Sequence, residues 1–536
     1  MKLCLDALKE KKAWLDAGFT LPGFDVEEMA QKTKAAPVWL HLGAGNIFRA
    51  FPAADLQLLL DKGLCDKGVI VAECFDGEII DKAYRPFDSL SVLCVLKSDG
   101  TVDKKVIASV CEALRCDGKN EADDQRLMEV LSAPSLQMVS LTITEKGYAV
   151  KNAKGDIFPF IQADIENGPG KAASTMGKLT AGLYRRFKAG KLPVSLVSMD
   201  NCSGNGDKLK AAVLCIAMGW AQNDLVDASF LTYLQDETKV AFPISMIDKI
   251  TPRPDASVAK MLLECGFEDV DTIITEKNTY TAAFVNAEET EYLVVEDKFP
   301  AGRMPLEKAG IYFTDRETVD KTEKMKVCTC LNPLHTALAI LGCLLGHESI
   351  CKEMGDEDLN KLVHTLAYVE AMPVVVNPGI LSPEKFAGEV LEKRLPNPFM
   401  PDAPQRIATD TSQKLPIRFG ETMKMYLQRE DLNIADLKVI PFVLAAWLRY
   451  LMAIDDTLTP FTPSSDPLLG QMQEALSFLK MGEKVEKEQL RDVLSRKDIF
   501  AINVYETPVA DNVALWLNKM LEGEGAIRKA LKELLA

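Results

Sequence analysis

Three features of the sequence predict an α/β N-terminal domain followed by a mainly α-helical C-terminal domain. The first is a strand, glycine turn, helix and strand in succession. The apolar run Val38-Trp39-Leu40-His41-Leu42 stops at Gly43, a helical pattern continues to about Lys62, and Val69-Ile70-Val71-Ala72 ends at Glu73. That order is the βαβ unit of a parallel sheet. The second is its continuation, with short apolar runs at 136–144 and 193–198 alternating with helical stretches such as 175–188. The third is a change of character beyond about residue 300. There, 336–346, 359–372, 440–454 and 513–535 carry apolar residues at helical spacing, with few strand-like alternations.

Ahead of the first strand, residues 1–35 read as two short helices joined by the turn-rich Leu21-Pro22-Gly23. A chain of 536 residues exceeds what one hydrophobic core usually covers. Pro300, Gly302, Pro305 and Gly310 mark the junction, so the expected domains are 1–310 and 311–536. Composition is that of a soluble globular protein, 47% hydrophobic and 26% charged, with no apolar run expected to span a bilayer. The start, MKLCLDALKEKKAWLDAG, is charged throughout and lacks the apolar segment of a secretory signal. A net charge of −16 argues against a nucleic-acid partner, which needs a basic face, but not against small anionic substrates. Thirteen scattered cysteines, an odd number, read as reduced thiols in a cytoplasm. No heptad run forces association, so a monomer is possible.

Gly43-Ala44-Gly45-Asn46-Ile47-Phe48-Arg49 sits between the first strand and the first helix. Glycines there let the backbone turn tightly and approach a pyrophosphate, which rests on amides at the helix N-terminus. This is the signature of a Rossmann-type dinucleotide-binding domain, although Phe48 stands where a third glycine is usual. Glu73 closes the second strand, 28 positions after Gly45, where an acidic residue bonds the adenosine ribose. A carboxylate there repels the 2′-phosphate of NADP, so the expected cofactor is NAD.

Four more polar segments follow apolar runs: Thr142-Ile143-Thr144-Glu145-Lys146-Gly147-Tyr148, Asp200-Asn201-Cys202-Ser203-Gly204-Asn205-Gly206, Asp248-Lys249-Ile250-Thr251-Pro252, and Lys326-Val327-Cys328-Thr329-Cys330-Leu331-Asn332-Pro333-Leu334-His335. With the glycine turn and Arg49-Ala50 they stand in the order found in the polyol-specific long-chain dehydrogenases/reductases. The chain resembles that family, which includes mannitol dehydrogenase, fructuronate reductase and tagaturonate reductase, from about Leu40 to Pro416. Tyr84-Arg85-Pro86-Phe87 and Thr411-Ser412-Gln413-Lys414-Leu415-Pro416 look most like the hexuronate (fructuronate) reductase branch.

The resemblance implies metal-independent hydride transfer between NAD(H) and a sugar acid or polyol, with D-fructuronate reduced to D-mannonate. Lys326 would be the general acid/base, a role that suits a lysine whose pKa burial moves toward neutrality. Asn201 and Asn332 would donate hydrogen bonds to the developing oxyanion. His335 would orient the lysine or hold a substrate hydroxyl. Arg406 and Lys414 match positions that hold the polyol chain or its carboxylate, and Asp248 lies in a family motif. Thr144 and Glu145 join Gly43, Gly45, Asn46, Ile47, Phe48, Arg49 and Glu73 as expected cofactor-binding residues. Tagaturonate reductase and mannitol 2-dehydrogenase are the neighbouring activities; a sugar isomerase or epimerase that retains its NAD, and a non-catalytic nucleotide sensor, are readings of another class.

One departure concerns the base. The family's lysine lies five residues before the asparagine, whereas Lys326 lies six before Asn332. On an ideal helix Lys326 and His335 would point about 180° apart. Either Asn332 caps a helix that Pro333 opens, with Lys326 in irregular backbone before it, or a bulge interrupts a longer helix. Lys324 is the alternative base, eleven residues from His335 and on its helical face. Simpler roles compete throughout: Asn332 as a cap, Asn201 and Asn205 as turn formers, and Arg406 and Lys414 as solvated charges. Cys328, Cys330 and His335 lack the further ligands a zinc site requires, so no metal is expected.

Overall fold

A computed structural model describes residues 1–536. The chain divides into two compact units, one of Met1–Lys97 with Thr101–Val319, the other of Asp320–Ala536 with Ser98–Gly100.

The first unit is built on six strands: β1 (Trp39–Leu42), β2 (Val69–Glu73), β3 (Val110–Arg115), β4 (Met138–Leu141), β5 (Val194–Ser198) and β6 (Val240–Ala241). All pair in parallel, in the spatial order 3-2-1-4-5-6. This is the order of dinucleotide-binding domains, with the reversal between β1 and β4. Every residue of β1, β2, β4 and β5 is buried, which is why each reads as a mainly apolar run.

Polar groups inside this sheet pair with one another. Trp39 Nε1 donates to Ser140 Oγ at 2.7 Å, and the His41 ring nitrogens lie 2.6 Å from Ser140 Oγ and 2.8 Å from Thr142 Oγ1. Burial pushes the His41 imidazole down to about 3, so it is neutral at physiological pH. The Phe48 ring lies flat on it, centroids 4.1 Å apart and planes 12° from parallel. A third glycine normally allows close helix–strand packing; here a phenyl ring fills that space by stacking. The helical stretch expected from Gly45 to Lys62 is two helices, α1 (Asn46–Ala50) and α2 (Pro52–Asp61). They break at Phe51 (φ −130°, ψ −79°), just before the proline that opens α2.

Three smaller sheets complete the unit, one of them the two-stranded pair Ile273–Ile274 and Tyr280–Thr281. Phe19–Thr20, Val102–Ile107, Ser91–Leu96 and Phe284–Glu288 form another, in that order, and Ser245–Asp248, Tyr292–Glu296 and Tyr312–Thr314 the third. The N-terminal extension therefore adds an edge strand to its helices Lys11–Asp16 and Val26–Ala35. Tyr312–Thr314 pairs with Tyr292–Glu296, which carries the first unit beyond residue 310.

The second unit contains no strand. Helices α3 (Asn332–Leu345), α4 (Val439–Tyr450) and α5 (Val509–Met520) pack in its interior. The helical stretch expected at 513–535 splits between α5 and Ala526–Leu535 at Gly523 (φ 151°) and Gly525 (φ 71°). A Cβ at Gly342 of α3 would lie 2.1 Å from Glu353 Oε1 and 2.9 Å from Pro404 Cγ, so this glycine makes room for the buried Glu353 side chain and for the segment carrying Arg406. Contrary to the expectation from sequence, the helical run Arg316–Leu345 is long and apolar enough to cross a bilayer, but 78% of its apolar window is buried inside the protein, as in a core helix.

Truncating the stacked ring tests the first unit's packing. Phe48→Ala should lower the free energy of unfolding by about 3–5 kcal/mol, read from denaturant titration. An unchanged midpoint and slope would contradict the packing role assigned to Phe48.

Candidate active site

In the glycine turn, Gly43 has φ 105°, and a Cβ there would lie 2.2 Å from the Thr142 carbonyl oxygen; no other residue fits. Gly45 is different. A Cβ there meets no protein atom within 4 Å, so internal packing does not demand glycine. A pyrophosphate approaching the backbone does demand it, and the turn fits a dinucleotide on that ground.

Glu73, buried at the end of β2, holds this turn. Its Oε2 accepts the Ala44 amide at 2.9 Å, and its Oε1 accepts those of Phe75 at 2.8 Å and Asp76 at 3.1 Å. A carboxylate has about four acceptor positions, so three internal bonds leave room for a ribose hydroxyl. The Tyr84 hydroxyl donates to the Ala44 carbonyl at 3.0 Å. Arg49 is turned inward. Its guanidinium donates to the Ala282 carbonyl (2.7 Å), Asn46 Oδ1 (2.7 Å) and Thr281 Oγ1 (2.6 Å), so it fixes Asn46 and the 281–282 segment rather than facing a ligand. Ile47 is half-buried and Phe48 fully buried.

The two motifs at the ends of β4 and β5 form one structure centred on Asp200. Its carboxylate accepts the Ile143 and Thr144 amides, each at 2.9 Å, and the Tyr148 hydroxyl at 2.5 Å. Thr144 is thereby held at φ 65°, a conformation that costs a non-glycine residue about 1–3 kcal/mol. Burial holds the Asp200 carboxyl above its ordinary value, even against these hydrogen bonds. Asn205 is a clamp: its amide nitrogen donates to the Asp200 and Ser245 carbonyls, both at 3.0 Å, and its oxygen accepts the Ser245 amide at 2.9 Å. Gly206 follows because a Cβ would come within 2.6 Å of the Pro243 carbonyl oxygen. Asn201 alone of the two asparagines is exposed. Glu145, exposed, pairs with Lys208 at 2.5 Å. Asp248 is buried at the end of its strand, opposite Tyr292.

In the second unit the spacing question resolves in favour of a bulge. Helix Arg316–Lys324 runs into a π turn, Met325–Cys330, closed by the Leu331 amide donating to the Lys326 carbonyl at 3.1 Å; α3 follows directly. Leu331 rather than Asn332 precedes α3, and Pro333 occupies its first turn. Pro333 has no N–H for the Thr329 carbonyl four residues back, and the helix absorbs one extra residue where that bond is missing. Discounting the inserted residue, Lys326 and His335 stand about 80° apart around the axis instead of 180°. Lys326 is 3% exposed, whereas Lys324 is exposed on the preceding turn.

Around this segment the helical unit gathers charged groups. His335 Nε2 lies 3.2 Å from Asp402 Oδ2, and Asp402 Oδ1 meets the Arg406 guanidinium. Burial alone would raise the Asp402 carboxyl, but His335 and Arg406 outweigh it and hold it below its ordinary value. A second π turn, Pro416–Gly420, packs against the one bearing Lys326 and carries Arg418, which donates to Thr336 Oγ1 and faces the Asn332 carbonyl at 3.5 Å. Burial pushes Arg418 down to about 10. Lys414 donates to the Ile407 carbonyl at 3.0 Å and to that of Thr409; burial and the neighbouring Arg418 charge push it down to about 8. No group of three or more His, Cys, Asp or Glu side chains is placed to hold a metal ion, and the Cys330 thiol faces the Pro383 carbonyl at 3.8 Å.

Asp200, Asp402 and Arg418 join the candidate site through these contacts and were not among the residues expected from sequence. Asp200 lay inside a quoted motif with no role attached. For Asp402 the one local signal is its spacing four residues before Arg406, which says nothing of His335.

Comparison with known proteins agrees with this geometry. Residues 38–308 match the mannitol dehydrogenase Rossmann domain, and 318–521 the mannitol dehydrogenase C-terminal domain. The chain is 48% identical to a D-mannonate oxidoreductase of Thermotoga maritima over 536 residues, 99% of each chain. It is 28% identical over 446 residues to a D-mannonate oxidoreductase of Escherichia coli, 81% of this chain and 84% of that one. A solved D-sorbitol dehydrogenase superposes with a TM-score of 0.78 at 23% identity, covering 97% of this chain and 98% of that chain. For a Pseudomonas fluorescens mannitol 2-dehydrogenase, solved with NAD and D-mannitol, the TM-score is 0.68 at 23% identity, covering 100% and 99%. The chain is therefore an oxidoreductase of the mannitol dehydrogenase family.

Proposed function

We propose that this protein interconverts D-fructuronate and D-mannonate with NAD(H), acting in the cytoplasm. The observation that carries the substrate class is the 48% identity to a D-mannonate oxidoreductase along essentially the whole of both chains. The cationic cluster of Arg406, Lys414 and Arg418 beside Asn332 and His335 supports it, because a hexuronate carries a carboxylate that fructose or mannitol lacks.

Gly43, Gly45 and the amides opening α1 would hold the pyrophosphate of NAD, and Glu73 the adenosine ribose. The Glu73 carboxylate disfavours the 2′-phosphate of NADP. When bound, the cofactor supplies or accepts the hydride at the secondary carbon. Lys326 Nζ donates a proton to the oxygen that becomes the hydroxyl in reduction and removes it in oxidation. Within the helical unit, Asn332 supplies amide N–H groups to the same oxygen as negative charge develops. Asp402 fixes the His335 imidazole, which positions the lysine or a substrate hydroxyl. Two of the three Lys414 N–H donors are taken by backbone carbonyls, leaving one for the substrate carboxylate.

Purified protein mixed with NADH should oxidise it rapidly on adding D-fructuronate and far more slowly with D-tagaturonate or D-fructose. Fructose as the best substrate would overturn the hexuronate reading, and no oxidation with any of them would overturn the reductase reading. Lys326→Ala should lower kcat by about 10²–10⁴-fold with NADH affinity retained, while Lys324→Ala stays near wild type; the reverse pattern would move the base to Lys324. Lys414 is cationic below about 8 and neutral above it. The KM for D-fructuronate should therefore rise as pH passes upward through that value, and Lys414→Arg should flatten the rise. A pH-independent KM in the unsubstituted protein would remove Lys414 from the carboxylate site.

A further inference from the structure

Cys74 and Cys116 lie just beyond the carboxyl ends of β2 and β3, the edge of the sheet that receives the nucleotide in this fold. Their strands are neighbours and pair in parallel, with Glu73 opposite Arg115 at the last register position. The Cys116 amide then donates to the Glu73 carbonyl at 2.8 Å, continuing the ladder by one residue. Continuing this register by one residue sets Cys74 beside Cys116, whose thiol also faces the Asp123 carbonyl at 3.5 Å. Neighbouring strands are about 4.8 Å apart, inside the range of about 4.4–6.8 Å between the Cα atoms of bonded cysteines. Cys74 is partly open to solvent and Cys116 is buried, the arrangement of an attacking thiol with a resolving partner beneath it.

We infer that Cys74 and Cys116 form a reversible dithiol–disulfide switch on the nucleotide-binding edge, with low-molecular-weight disulfides as the oxidant. The Cys74 thiol loses its proton to solvent, and its sulfur attacks one sulfur of the small disulfide, expelling one thiolate. The Cys116 sulfur, deprotonated in turn, attacks the Cys74 sulfur of the mixed disulfide and expels the second. Two protein thiols are oxidised, one small disulfide is reduced to two thiols, and the two protons and two electrons balance. The neighbouring Cys74 thiol and burial hold Cys116 above its ordinary range. The buried Lys178 ammonium bonds the Cys116 carbonyl at 2.7 Å and works in the opposite sense, favouring the thiolate.

The link to function runs through one residue. Cys74 follows Glu73, whose carboxylate anchors the Ala44, Phe75 and Asp76 amides. A bond of about 2.05 Å between the sulfurs fixes the Cys74 side chain and ties its backbone to that of Cys116, so any adjustment at Cys74 passes directly to the carboxylate that positions the glycine turn. The switch should thus weaken nucleotide binding, a consequence that rests on the NAD(H) reading above.

The test uses the full chain. NADH affinity is first measured on reduced protein by nicotinamide fluorescence; absence of binding there would sink the cofactor reading and not the chemistry of the thiols. The protein is then incubated with oxidised glutathione and mapped without reduction. The expected result is a linked Cys74–Cys116 peptide, a rise in NADH Kd of about 5-fold or more, and return to the starting value with dithiothreitol. Cys116→Ser, and independently Cys74→Ser, should abolish both the cross-link and the loss of affinity. Glutathione adducts without the cross-link would overturn the inference, as would a cross-link that leaves NADH Kd unchanged.

Discussion

The absent N–H of Pro333 is the constraint on which the arrangement of the helical unit depends. A helix running from Arg316 to Leu345 must pass a residue that cannot bond the carbonyl four places back. It does so by widening to a π turn, and that turn decides which way Lys326 faces. With a straight helix the lysine would stand opposite His335; with the turn the two share a sector, and Asn332 opens the next helix between them. The second π turn, Pro416–Gly420, packs against the first and brings Arg418 to Thr336 and the Asn332 carbonyl. Burial of a lysine and a guanidinium adds a desolvation cost to that of the two irregular turns.

The first unit solves a related problem with carboxylates. Loops at the carboxyl ends of parallel strands present amides that neither strand nor helix satisfies. Glu73 accepts three of them after β1 and β2, and Asp200 two after β4. Charge-assisted acceptors of this kind are stronger than neutral ones and hold the glycine turn, and Thr144 with its positive φ, without help from regular structure. Glu73 thus shapes the turn and, on the proposed reading, also presents charge to the ribose. That coupling is the reason a chemical change at its neighbour Cys74 can reach the nucleotide.

Much of the fold was legible in the sequence because the central strands are buried on both faces and read as mainly apolar runs, with His41, Ser140 and Ser195 the buried polar exceptions in mid-strand. Val110–Arg115 and Val102–Ile107 were not, since Glu112, Arg115, Asp103, Lys104 and Lys105 interrupt them on half-exposed faces. The break at Phe51 and the division at Gly523 and Gly525 were also missed, because apolar spacing continues across both. For the site, the family resemblance pointed to Lys326, Asn332 and His335, and the spacing left open a cap or a bulge; only the π turn distinguishes the two. Pairings over long separations, such as His335 with Asp402 or Asp200 with Thr144, have no local signature. Arg49 carries internal contacts that its place in the motif does not announce, to Asn46, Thr281 and the Ala282 carbonyl.

The central claim is that the π turn, and not the lysine alone, sets the catalytic geometry. Exchanging two adjacent residues tests it: a protein carrying Lys326→Val with Val327→Lys keeps composition and charge but turns the amine about 100° around the axis. With D-fructuronate and NADH, the account predicts turnover as low as that of Lys326→Ala, with NADH binding intact. Activity close to that of the unsubstituted protein would contradict it, because the amine would then reach the substrate oxygen regardless of the turn.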